Sequence, residues 1–74
     1  MKPTPVTILD EICKQQGIPP AMIVSVARAN RETKKARVLF VRACRAVGWG
    51  YYHIARVLNV SISTAHRYGF YYEL

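Results

Sequence analysis

The chain has 74 residues, 51% of them hydrophobic, and a formal net charge of +7. This length allows one small domain, and such a hydrophobic fraction is typical of a folded globule rather than a disordered tail. The longest uninterrupted apolar runs, residues 21–24 and 38–41, are far too short to span a bilayer. The N-terminal segment has acids where a secretion signal would need apolar residues, so we expect a protein of a reducing cytoplasm.

The first predicted helix covers residues 5–16. Thr4 followed by Pro5 is a favoured helix start, and Gly17 is a favoured end. Apolar residues at helical spacing predict its buried face: Val6, Ile8, Leu9, Ile12 and Cys13. The opposite face is polar, so we expect this helix to serve packing.

A second helix is predicted over residues 20–28, after the corner that Pro19 and Pro20 impose. The segment from Ala21 to Ala27 is short and almost wholly apolar. We therefore expect it to lie deep in the core.

A third helix is predicted over residues 33–47, with Thr33 as its N-cap. Its inward face is expected to consist of apolar side chains: Leu39, Phe40, Ala43, Ala46 and Val47. Gly48 and Gly50 end this helix, and Trp49 between them is predicted to act as a lid on the core.

Basic residues surround the start of this third helix. Lys34, Lys35 and Arg37 stand in its first turn, although the positive end of the helix dipole disfavours cations there by roughly 0.3–1 kcal/mol. Arg31 lies in the preceding loop. Helix stability does not explain this placement, and the segment is suited to contact a phosphate backbone or enter a minor groove.

Residues 51–58 and 61–71 are predicted to form two short helices joined by a tight turn, a helix-turn-helix. Asn59 tolerates the left-handed conformation, Val60 is an apolar plug, and Ser61 can cap the second helix. Helical spacing directs five residues inward: Ile54, Ala55, Leu58, Ala65 and Tyr68. The outward face of the second helix carries polar donors and acceptors: Ser61, Ser63, Thr64, His66 and Arg67.

The positive charge is concentrated in the centre of the chain. Residues 1–27 sum to zero, whereas residues 28–67 contain nine basic residues and one acid, Glu32, a net charge of +8. A neutral front and a basic centre around a helix-turn-helix are expected of a protein that meets phosphate backbones. The alternative, a surface kept soluble by charge, would normally intersperse both signs.

Residues for catalysis or metal binding are sparse. The chain has four acids and two histidines, with no nucleophile paired to a base at a recognisable spacing and no glycine-rich phosphate loop. Cys13 and Cys44 stand 31 positions apart and fit no CxxC or zinc-ligand pattern, so we expect two buried thiols. The sequence predicts a protein that is not an enzyme and holds no metal or cofactor.

The order of features resembles the C-terminal DNA-binding domain of the bacterial replication initiator DnaA, a Trp-repressor-like helix-turn-helix. The resemblance covers about residues 6–68 and lies in the segments ILDEICKQQGI, ANRETKKAR, LFVRACRAVG and HIARVLNVSISTAHR. It implies that Lys35 or Arg37 enters the minor groove and that the start of the last helix reads bases in the major groove. Of the family's Asp-His-Thr-Thr cluster only Thr64 is kept, so the resemblance implies the docking mode rather than the initiator's target sequence.

The family's ATPase module is absent from these 74 residues. The resemblance therefore implies a free-standing small regulator of transcription or replication, of bacterial or phage type, in the bacterial cytoplasm or nucleoid.

Together these observations predict an all-α domain spanning residues 1–74, a compact bundle of about five helices that binds double-stranded DNA. The predicted contacts are Arg31, Lys34, Lys35, Arg37, Ser61, Ser63, Thr64, His66 and Arg67. One alternative is a protein-interaction module that binds a host protein or a second copy through an aromatic tail: Phe70, Tyr71 and Tyr72. Another is binding of RNA or single strands, with bases stacked on four tyrosines: Tyr51, Tyr52, Tyr71 and Tyr72.

Overall fold

A computed structural model of the protein describes residues 2–24 and 31–70, with residues 31 and 32 described in their backbone only. Over these residues the chain is helical and has no strand, which confirms the all-α fold class. The helices in the described part are α1 (Pro5–Gln16), α2 (Pro20–Ile23), α3 (Arg31–Val47), α4 (Tyr51–Leu58) and α5 (Ile62–Phe70). No helix among them is long and apolar enough to cross a membrane.

Helix α1 has the predicted bounds because local signals fix both of its ends. The Thr4 hydroxyl accepts a hydrogen bond from the Thr7 backbone N–H at 3.3 Å. Gly17 adopts the left-handed conformation, with φ 68°, and its N–H donates to the Cys13 carbonyl. The predicted face is buried except for Val6, which is 58% exposed. Pro5 takes the buried position instead, because Val6 is turned about 100° around the helix from it.

Helix α2 is shorter and less buried than predicted. It ends at Ile23, because Val24 leaves the helical region with φ −84° and ψ 127°. Its single turn can direct few side chains inward: Ile23 is fully buried, whereas Met22 is 46% exposed. The rest of the predicted second helix, residues 25–28, lies outside the described residues.

Helix α3 is the central helix and packs against the other four helices of the described part. It begins at Arg31 rather than at Thr33, so Thr33 is a buried residue within the helix and not its cap. The predicted inward face holds for Phe40, which is fully buried, and for Leu39, Ala43 and Val47, which are half-buried against the core, but Ala46 is exposed. Further buried apolar residues of α3 are Ala36, Val38, Val41 and Cys44.

The end of α3 follows the predicted turn chemistry. Gly48 adopts a positive φ of 105°. Its N–H donates to the Arg45 carbonyl at 3.0 Å, and the Trp49 N–H donates to the Cys44 carbonyl at 2.9 Å. These bonds satisfy the last carbonyls of the helix and direct the chain into α4.

The turn between α4 and α5 also has the predicted geometry. Asn59 is left-handed, with φ 58° and ψ 45°. Val60 packs against the core, and its N–H donates to the Ala55 carbonyl at 3.0 Å. The Ser61 hydroxyl accepts from the Thr64 N–H at 3.1 Å and caps α5. The inward residues of both helices are buried: Ile54, Ala55, Leu58, Ala65 and Tyr68.

Both cysteines are buried and free, as predicted. Burial raises the pKa of the Cys44 thiol to about 12. Burial, and to a lesser extent the nearby Asp10 carboxylate, raises the pKa of Cys13. Both thiols are therefore held in the protonated and unreactive form.

Candidate nucleic-acid interface

Helix α5 has one face in the core and one face toward solvent. Ala65 and Tyr68 are buried on the inner face. Ser63, His66 and Arg67 are exposed on the outer face. The structure therefore brings together three of the residues that the sequence predicts as DNA contacts. They lie on one helix whose opposite face is packed in the core.

The other two predicted contacts of this helix, Ser61 and Thr64, bond to each other. Their hydroxyl oxygens are 2.8 Å apart, in addition to the capping bond from the Thr64 N–H. Thr64 is also half-buried. These side chains set the start of α5, and the outward residues of its first turn are Ile62 and Ser63.

Aromatic packing fixes the far end of α5 against the start of α4. The His66 ring lies 4.5 Å from Phe70 and 4.9 Å from Tyr51, measured between ring centroids. Tyr51 also lies against Gly69, where an added Cβ would stand 2.6 Å from its hydroxyl oxygen. The Arg45 guanidinium covers the Tyr51 ring at 4.7 Å. The outer face of α5 is thus held at both ends, by the cap and by this cluster.

The prediction that Arg37 contacts DNA is wrong, because its side chain is only 3% exposed. Its Nε donates to the Ile23 carbonyl at 3.0 Å, and its Nη1 donates to the Tyr68 hydroxyl at 2.9 Å. A guanidinium held this way cannot reach a minor groove. It instead joins α2, α3 and α5, and so sets the position of the outer face of α5.

The remaining basic residues near the start of α3 differ in exposure. Lys35 is exposed and Lys34 is half-buried. The side chain of Arg31 lies outside the described residues. These residues belong to a helix rather than to a basic loop, because α3 begins at Arg31. Lys35 is therefore the described residue of this segment that is best placed to contact a phosphate.

The outer side of α4 carries two aromatic rings and a cation, of which the sequence assigned only Tyr52, 56% exposed, as a base-stacking residue. Tyr52, His53 and Arg56 are exposed, and the Arg56 Nη1 donates to the Tyr52 hydroxyl at 3.3 Å. The spacing of Tyr52 and Arg56, four residues apart on a helix, is the signal that could have predicted this pair.

Trp49 covers the edge of the core as predicted. It packs against the buried cluster, and its Nε1 donates to the Pro3 carbonyl at 2.8 Å. The Lys2 ammonium lies 4.3 Å from its ring centroid. Tyr51 is half-buried, with the Arg45 guanidinium over its ring and His66 beside it, so it is poorly placed to stack a base. Tyr71 and Tyr72 lie outside the described residues.

Among the described residues, no three His, Cys, Asp or Glu side chains are grouped closely enough to hold a metal ion.

The fold and the site define an all-helical domain whose last helix presents a hydroxyl, an imidazole and a guanidinium to solvent. No protein-family model, curated protein or solved structure matches the chain.

Proposed function

We propose that this protein binds double-stranded DNA, with α4 and α5 acting as a helix-turn-helix and α5 lying in the major groove. The observation that carries the proposal is the outer face of α5, where Ser63, His66 and Arg67 are exposed while Ala65 and Tyr68 anchor the opposite face. Reading a duplex needs side chains presented from a helix that does not move, and α5 is held by the core, by its cap and by Tyr51.

The dimensions and chemistry of α5 suit a major groove. An α-helix with its side chains is about 10–12 Å across, and a major groove is about 12 Å wide, enough for one helix. The nine residues of α5 can lie along it for about 13 Å. The Arg67 guanidinium can donate two parallel bonds to O6 and N7 of guanine. Ser63, one turn earlier, can donate to or accept from a base edge or a phosphate.

Charge supplies the part of the affinity that does not depend on sequence. Between residues 28 and 67 the net charge is +8. Arg56 on α4 and Lys35 on α3 are exposed cations outside α5. In this proposal they contact the phosphate backbone and fix the orientation of α5 on the duplex.

The finer form of the proposal is a small regulator of transcription or replication in a bacterial or phage setting. The resemblance of residues 6–68 to the DNA-binding domain of DnaA supports it, as does the retained Thr64. Because Arg37 is buried, the minor-groove role that the resemblance implies for Lys35 or Arg37 would fall to Lys35.

Fluorescence anisotropy with a random-sequence duplex pool tests the proposal. We expect binding at low salt whose affinity falls steeply between about 50 and 200 mM salt, since each phosphate contact releases a counterion. Arg67→Gln should weaken binding, whereas Lys14→Gln, which removes one exposed charge from α1, should have a much smaller effect. Absence of salt-sensitive binding, or equal effects of the two substitutions, would count against this interface.

A second candidate function is binding of a partner protein or a second copy. Phe70 favours it, because this ring is 63% exposed and stacks on His66 at the edge of the same face. An aromatic interface should be nearly indifferent to salt. Sedimentation of the protein and of a Tyr71→Ser/Tyr72→Ser variant would show whether the aromatic tail pairs copies.

A further inference from the structure

Ile62 is an exposed apolar side chain in the first turn of α5. Its side chain is 51% exposed, whereas Ile18 is half-buried and the isoleucines at positions 8, 12, 23 and 54 are buried. Ile62 belongs neither to the buried core cluster nor to the half-buried apolar side chains packed against it. Packing in the core therefore does not explain an isoleucine at the start of α5, the helix proposed to lie in the major groove.

Two side chains at the start of α5 form its cap, and the two between them are exposed. The hydroxyl groups of Ser61 and Thr64 bond to each other across the cap, 2.8 Å apart. Ile62 and Ser63 are the residues between them, and both are exposed. In a DNA-binding helix-turn-helix, the residues at the start of the second helix contact base edges. Ile62 and Ser63 occupy that place, and Ile62 has no donor or acceptor to offer.

We infer that Ile62 contacts the C5-methyl group of a thymine and so selects thymine at one position of the site. This rests on the proposed function. In the major groove only thymine presents an apolar group. An aliphatic side chain beside polar side chains that contact base edges can therefore distinguish thymine from the other three bases. Duplex DNA fits this surface better than an apolar protein partner, because Arg67 shares the helix and residues 33–72 contain no acid.

Ile62 and Arg67 lie on the two flanks of the outer face of α5. They are five residues apart, which corresponds to about 7.5 Å along a helix and about 140° around it. The two side chains can therefore reach different base pairs of the same groove. The site is expected to contain a thymine close to the base that Arg67 contacts.

The experiment begins with selection of bound sequences from a random duplex pool by the unaltered protein. The selected thymine is then replaced by deoxyuridine, which removes only the methyl group. We expect the unaltered protein to lose about three- to fivefold in affinity, the value of burying one methyl-sized group. Ile62→Ser should bind thymine and uracil duplexes equally, while Ile62→Val should keep most of the preference.

Val6→Ser is the matched control. Val6 is 58% exposed on α1, so this substitution also removes an exposed β-branched apolar side chain but lies outside the α4 and α5 helices. It should leave both the affinity and the thymine preference unchanged. Far-UV circular dichroism on each variant checks that the helices are retained.

The outcomes separate this inference from the function on which it rests. Duplex binding without a selected thymine, or an Ile62→Ser variant that still prefers thymine to uracil, would overturn the role of Ile62 and leave DNA binding intact. Absence of duplex binding at low salt would overturn both. A protein that is dimeric in sedimentation, and that Ile62→Ser converts to a monomer with unchanged DNA affinity, would assign Ile62 to a protein interface.

Discussion

Replacing Arg37 by methionine should strongly destabilise the domain. Methionine keeps most of the volume but removes the Nε donor to the Ile23 carbonyl and the Nη1 donor to the Tyr68 hydroxyl. Both acceptors lie in the interior, because Ile23 is fully buried and Tyr68 is 5% exposed. A buried acceptor that loses a charged donor costs more than the net value of an ordinary hydrogen bond.

The expected loss is about 3 kcal/mol. Each bond from a charged donor contributes roughly 1.5–3 kcal/mol, and the relief of no longer burying a cation offsets part of the sum. A domain of 74 residues has roughly 4–11 kcal/mol of stability in total. The loss is therefore a quarter or more of the total, and it should lower Tm by about 12–24 °C.

Urea and thermal unfolding followed by far-UV circular dichroism measure this effect. Arg67→Met is the matched control, since it makes the same replacement at an exposed position and should change stability by no more than about 0.5 kcal/mol. The double variant Arg37→Met/Tyr68→Phe should recover about 1 kcal/mol, because the Tyr68 hydroxyl no longer lacks this donor. Equal urea midpoints for Arg37→Met and Arg67→Met would refute the structural role of Arg37 and return it to the predicted DNA contacts.

Three further outcomes can be measured. Gly69→Ala should destabilise the domain by about 1 kcal/mol in urea unfolding, because the cost of the contact between the new Cβ and the Tyr51 hydroxyl at 2.6 Å exceeds the roughly 1 kcal/mol that alanine contributes over glycine in a helix. Tyr51→Phe should reduce that cost. Because the folded pKa of Cys44 is raised to about 12 from an ordinary value near 9, stability should hold below pH 9 and fall between pH 9 and 12, less so in Cys44→Ala. In DNA-binding titrations, Lys35→Gln should weaken all duplexes alike and reduce the salt slope by about 1, whereas Arg67→Gln should relax preference at one base pair.

Helix ends were predictable wherever neighbouring residues fix them. Thr4 with Pro5, and Gly17, define α1 through bonds within four residues, and Asn59 closes α4 in the same local way. The start of α3 was predicted wrongly, because Thr33, a favourable cap by its chemistry, lies within the helix and faces the core. Burial overrode the capping preference there, and burial depends on residues distant in the sequence.

The same limit explains the error at Arg37. Its spacing was informative: it stands four residues after Thr33 and three before Phe40, both buried, so it lies on the inner face of α3. An arginine on such a face is expected to reach solvent unless buried acceptors are available to it. Those acceptors are 14 and 31 residues away, at Ile23 and Tyr68, and only the packing of α2 and α5 brings them together.

The first turn of α5 shows how a polar face can be divided once geometry is known. By residue type, Ser61, Ser63 and Thr64 are equivalent hydroxyl donors, and the sequence predicts all three as DNA contacts. The cap separates them, because the Ser61 and Thr64 hydroxyls bond to each other, whereas Ser63 is exposed and takes no part in the cap. The two outward residues of this turn are then one polar side chain and one apolar one, Ser63 and Ile62. A DNA-binding helix with these two residues should select its site partly through the C5-methyl group of a thymine. Replacement of that thymine by deoxyuridine measures the contribution of the methyl group directly.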